Sequence, residues 1–165
     1  MRSLVFIALA MLVACGPSAA ELKTAKTASY VGDPKTMFET VIATTGETYK
    51  VAEATQDGET YKLITAEQWY SPEGGRQSSG TGDYVQIDDR SIRLQLLVEM
   101  TSQTISDTRT RTMVVVTPVA YQHIAGSPQP RELKPDDPNL PGWVSGRVDS
   151  LHLAIHKSLQ KYASQ

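Results

Sequence analysis

The sequence predicts an α+β domain of two layers, a four-stranded antiparallel sheet with an N-terminal and a C-terminal helix on one face. Three observations predict it. A capped apolar helix pattern begins near residue 33, a long helical stripe follows residue 141, and the apolar residues between them alternate with period two. Runs of strands flanked by helices belong to the α+β class, in which helices cover one face of an antiparallel sheet.

The first helix starts with Asp33 as N-cap and Pro34 in the first turn, and Gly46 ends it. Met37, Phe38, Val41 and Ile42 share one face. A strand from Tyr49 to Thr55 then meets Gln56-Asp57-Gly58-Glu59, where Asp-Gly signals a hairpin turn. The return strand spans Tyr61 to Tyr70, although its alternate residues do not separate into two clean faces. Residues 71–83 are small and polar and read as a loop.

Ile92, Leu94, Leu96, Val98 and Met100 alternate with Arg93, Gln95, Leu97 and Glu99, the pattern of a half-buried strand. A turn near Ser106-Asp107 leads to a strand from Arg109 to Tyr121. Its centre, Met113-Val114-Val115-Val116, is apolar on both faces and predicts a central position, and Pro118 is expected to end or bulge its pairing. Five prolines across residues 125–142 predict a long crossing loop. The last helix runs from Pro141 to Tyr162, with Val144, Val148, Leu151, Ile155, Leu159 and Tyr162 in one stripe.

The N-terminus carries a different signal. Arg2 precedes an apolar run from Leu4 to Val13, and Ala14-Cys15-Gly16 follows. One positive charge, a short apolar stretch and a small residue before a cut form a signal-peptide pattern. That run of 10 residues is about half of what a helix needs to cross a bilayer. Leu12-Val13-Ala14-Cys15 resembles the lipobox of bacterial lipoprotein precursors at all four positions. The resemblance implies cleavage between Ala14 and Cys15 and a diacylglycerol thioether on the Cys15 sulfur. A cysteine suits this role because its thiolate is a strong nucleophile. Gly16 stands where Asp would imply retention at the inner membrane. The resemblance therefore implies an outer-membrane lipoprotein facing the periplasm if the source is a diderm.

These signals divide the chain into a signal peptide at 1–14, a lipidated Cys15 with a flexible tether to residue 32, and one domain at 33–165. Removing 14 of 165 residues leaves 151, a single-domain length. Cys15 is the sole cysteine, so no internal disulfide supports the fold. The mature part carries 15 basic and 18 acidic side chains, which gives no basic face for nucleic acid and no polybasic run for anionic lipid.

Candidate chemistry is sparse. Asp149, His152 and His156 lie along one side of the last helix and could ligate zinc, but no Glu follows His152 as a metalloprotease motif requires. Boundary histidines are the plainer reading. Asp136-Asp137 with Asn139, and Asp88-Asp89, read as turn or capping residues, because the alternating oxygens and glycine of a calcium loop are missing. Ser158 lacks a nucleophile elbow, and Gly74-Gly75 and Gly80-x-Gly82 precede no helix that could cradle phosphate. Trp69 and Trp143 read as core or rim aromatics.

No catalytic residue and no cofactor is expected. The leading expectation is a non-enzymatic envelope lipoprotein, held to the membrane by Cys15, that binds an envelope protein or assists an assembly. Gly46-x-x-Tyr49-x-Val51 and the Asp57-Gly58 turn, across residues 34–70, resemble small accessory lipoproteins of outer-membrane assembly, the BamC-like domains, with a departure in the spacing. That is a likeness of layout, and fold does not imply function. Two alternatives stand beside it. One is a carrier with an apolar cavity behind Leu94, Leu96 and Val115. The other is a metal-dependent enzyme using Asp149, His152 and His156.

Overall fold

A computed structural model describes residues 18–77, 87–106 and 109–164. The N-terminal signal pattern, Cys15 and Gly80-x-Gly82 lie outside them. The protein is α+β, and the described residues hold three α-helices and a seven-stranded antiparallel sheet rather than four strands. In chain order the elements are α1 Ala19–Thr27, β1 Ser29–Val31, α2 Pro34–Gly46, β2 Val51–Asp57 and β3 Thr60–Thr65. There follow β4 Gln68–Tyr70, β5 Ile92–Ser106, β6 Arg109–Gln122, β7 Arg131–Leu133 and α3 Gly142–Ser158, then a 3-10 turn at Gln160–Tyr162.

The sheet order is β1-β6-β5-β3-β2, with β4 on β5 and β7 on β6. Its spine is β5 and β6, paired from Ile92↔Gln122 to Ser106↔Arg109. Along β5 the side chains of Ile92, Leu94, Leu96, Val98 and Met100 are buried while their neighbours are half exposed. The buried row joins Met37, Val41, Val144, Leu151 and Ile155 of α2 and α3 in one core. The helical stripe of α3 therefore packs as its spacing requires.

Two extra strands come from segments that carry weak strand signals, and a third from a division of the expected return strand. Residues 19–31, expected as tether, form α1 and β1. The Ser18 hydroxyl accepts a hydrogen bond from the Glu21 amide and the Glu21 carboxylate accepts one from the Ser18 amide, a capping box legible as Ser-x-x-Glu. Strand β1 completes an edge of β6 and buries Tyr30 to 1% exposure. The proline-rich crossing contains β7, whose Leu133 is buried opposite Ala120. A partner strand with free backbone groups stabilises such short segments where propensity alone does not.

The expected return strand at 61–70 is two strands with a bulge between them. Ile64 pairs with Leu97 and Gln68 with Leu94, so four steps on one side match three on the other. The extra residue inverts which positions face inward. Tyr61, Leu63 and Thr65 are buried before it and Tyr70 after it. This is why the alternation of 61–70 looks mixed in sequence. Thr65 stabilises the break, its hydroxyl accepting the Leu96 amide at 2.9 Å.

Pro118 neither ends nor bulges its strand, since it pairs with Leu96 inside β6. The Leu96 amide points to Thr65, so the Leu96–Pro118 pair exchanges no hydrogen bond, and the proline nitrogen faces the gap between β1 and β7. Met113 and Val115, expected to be buried in a central strand, are each 49% exposed. Strand β6 is internal to the sheet, yet the helices cover only its other face.

Leu63→Ala should therefore cost about 2–5 kcal/mol, because the buried side chain leaves a cavity. Met113→Ala on the open face should cost within about 0.5 kcal/mol. Urea denaturation of both variants checks this, and equal losses would contradict a one-sided sheet.

Candidate functional site

The bulge at Ala66-Glu67 opens a cleft of about 240 Å³ over the inner face of β5. Its floor is Leu94 and Leu96 with the Thr65 hydroxyl. The chain entering β2 supplies one wall, Thr48, Tyr49 and Lys50, and the bulge supplies Ala66, Glu67 and Gln68. Tyr70 and Arg76 close the remaining side. The Ala66 amide donates to the Lys50 carbonyl at 2.7 Å, which ties the two walls together. Bulges re-aim strands beside many functional sites.

The cleft mixes charge with apolar surface. Lys50 and Arg76 are exposed at its edge, and the Arg76 Nε donates to Gln68 Oε1 at 2.8 Å. Glu67 is the one acid among the lining residues, and it leans to Arg93 of the opposite face at 3.7 Å. A group offering a negative charge or hydrogen-bond acceptors and a short apolar stem suits this lining. Pockets for drug-sized ligands run from about 300 to 1,000 Å³. This one matches a side chain or a small polar molecule better than a diacyl lipid.

An aromatic clamp holds the cleft wall to α3. Arg147 stacks on Tyr70 at 4.4 Å and on Trp143 at 5.4 Å, and donates to the Gly74 carbonyl at 3.1 Å. The Trp143 indole donates to the Pro72 carbonyl at 2.9 Å. Gly74 has φ +91°, and a Cβ there would sit 2.8 Å from the Trp143 ring, so only glycine fits. Trp69 lies on the outer face, with Arg93 stacked between it and Tyr121. Neither tryptophan lines the cleft.

The residues singled out from sequence do not converge on one another. Asp149 pairs with Lys26 of α1 at 2.7 Å. His156 Nδ1 shares a hydrogen bond of 2.9 Å with the Tyr30 hydroxyl, whose pKa burial pushes up to about 12. His152 is buried at 5% exposure and leaves Nε2 unpaired. Among the described residues no three potential ligands converge on one metal position. Asp137 accepts the Asn139 amide and the Arg131 guanidinium, and these bonds lower its pKa. Asp89 accepts the Ala125 amide, and the Ser158 hydroxyl donates to the Ile155 carbonyl.

The cleft residues Lys50, Gln68 and Arg76 were not singled out by sequence reasoning, and Tyr49 was named only for the strand and the likeness of layout. The one signal that could have found them is the failed alternation of 61–70. Compared with known families and curated proteins, the chain matches no family model and no curated relative.

Burial holds the pKa of His152 below its ordinary 6.5, with nearby Lys26 acting in the same direction. The unfolded chain then takes up a proton near pH 6.5 that the fold refuses, so stability is fully present above that pH and falls as pH drops below it. His152→Leu should remove this share of the acid sensitivity. Denaturation midpoints measured at about pH 8 and about pH 5.5 check it, and a variant as acid-sensitive as the parent would clear His152 of the role.

Proposed function

We propose that this chain is the precursor of a lipid-anchored cell-envelope lipoprotein whose domain is a non-enzymatic binding module. The observation that carries the reading is Leu12-Val13-Ala14-Cys15 behind Arg2 and the apolar run Leu4–Val13. Two or three acyl chains, at about 0.8 kcal/mol per buried methylene, hold a protein at a membrane where a single chain holds marginally. Among the described residues no helix is long and apolar enough to cross a membrane. Gly16 directs the product to the outer membrane of a diderm, facing the periplasm.

The bulge cleft is the binding site in this reading. Its size favours a side chain or short segment of a protein partner, and Lys50 and Arg76 favour an acidic one. The carrier alternative draws support from Leu94 and Leu96 on the floor, but Val115 lies on the opposite face of the sheet and contributes nothing to the cleft.

Cys15→Ser should move the protein from the membrane fraction to the aqueous fraction and remove acyl mass from the mature N-terminal peptide. An unchanged distribution and a bare sulfur in the parent would sink the lipoprotein reading. A photo-crosslinking residue at Arg76 should capture a defined partner in intact cells, and one at Ala43, on exposed α2, should not. Capture that ignores the replacement of Lys50 by Glu would argue against the cleft.

A further inference from the structure

The lipoprotein reading acquires a geometric consequence once the start of α1 is known. Ser18 is the N-cap of α1, and in the sequence only Gly16 and Pro17 separate it from Cys15. Three residue steps reach at most about 11 Å however they are arranged. A leash this short holds one end of the domain at the lipid surface.

The structure identifies that end. Lys26 near the end of α1 meets Asp149 at the middle of α3, and Lys157 late in α3 acts on Glu21 in the first turn of α1. The two helices are therefore antiparallel, and α1 begins beside the C-terminus of α3. That C-terminus lies at the β1 edge, where Ser164 bonds Ser29 and Tyr162 packs on Gly32. Val31 pairs with Arg111, so this is also the end at which the β5–β6 hairpin turns, with Ile105 54% exposed near the tip. The cleft over Leu94 and Leu96 lies at the other end of β5, about 30 Å away along the strand.

Charge agrees with the leash. Lys23, Lys157 and Lys161 are exposed around the start of α1. The nearby acid Glu21 is occupied in its capping box. Acids stand at this end too, Asp33 capping α2 beyond Gly32 and Asp57 and Glu59 on the β2–β3 turn, where Glu59 accepts the Thr104 hydroxyl at 3.5 Å, and Lys35 and Arg111 are exposed among them. Basic residues beside a lipid anchor add attraction to anionic lipid.

We propose that the anchored domain stands on an anionic phospholipid surface on the α1 and α3-terminal lysines, with the Ile105 end of the β5–β6 ladder toward the headgroups and the bulge cleft facing away from the membrane. This rests on lipidation at Cys15, which makes that sulfur unreactive and leaves an introduced cysteine as the sole labelling site. Ile105→Cys and Ala125→Cys, one at each end of the sheet, would be expressed as the full precursor. They would be purified in lipidated form, labelled with an environment-sensitive fluorophore and placed in phosphatidylcholine–phosphatidylglycerol vesicles carrying a headgroup quencher. One label per chain is expected, and two would mean a bare Cys15 and the failure of the lipoprotein reading itself. Given one label, quenching at position 105 should exceed that at position 125 severalfold. Inserting a 30-residue Gly/Ser linker between Pro17 and Ser18, together with Lys157→Glu and Lys161→Glu, should abolish the difference. Equal quenching at the two positions in the parent protein, or a difference that survives the linker and charge changes, would overturn the proposal.

Discussion

Everything in this fold is arranged around the long antiparallel ladder of β5 and β6. It spans Ile92↔Gln122 to Ser106↔Arg109 and accepts β3, β4, β1 and β7 on its two outer sides. Because side chains alternate across a strand, one row of each is fixed toward the helices and the other toward the outside. A slip of one residue would turn the core row outward, so burial of Leu94, Leu96, Val98, Val114 and Val116 fixes the register. No disulfide contributes, and the ladder with its helical cover carries the stability.

Buried hydroxyls on the ladder are satisfied, whereas the Arg93 Nε on β5 is buried without a partner. Ser102 and Thr112, buried opposite one another, share a hydrogen bond of 3.0 Å. Thr65 takes over the Leu96 amide where the bulge interrupts β3 and β4. An unpaired buried amide costs more than a made hydrogen bond contributes, so a threonine at this point lets the strand bend. The bend is what creates the cleft, which links a local backbone requirement to a concave surface that combines charge with an apolar floor. The Arg147–Tyr70–Trp143 stack then holds the cleft wall against α3.

The start of α1 and the cleft lie toward opposite ends of the same strand pair. In the proposed reading this separates attachment from recognition. The lipid and the basic end locate the domain, and the bulge presents Lys50 and Arg76 toward the aqueous side. The open outer face, with Met113 and Val115 half exposed beside Glu99 and Thr101, is a further surface of the molecule.

The sequence by itself determined the elements whose signals are local. Asp33-Pro34 starts α2, Asp57-Gly58 turns β2 into β3 with Gly58 at φ 58°, the alternation of 92–100 makes a half-buried strand, and the stripe of 144–159 makes α3. The Ser18–Glu21 box was equally local and equally legible, although the small residues around it read as tether. Tertiary structure alone decided the rest. Strands β1 and β7 exist because β6 offers unpaired edges, and three residues cannot signal that in their own composition. The open face of Met113 and Val115 depends on where helices end up, which an apolar run does not specify. The cleft depends on one residue inserted between two pairings, and Lys50, Gln68 and Arg76 meet there across 26 positions because the bend brings them together. Side-chain period is a property of the chain, whereas pairing partners and bulges are properties of the neighbours it finds.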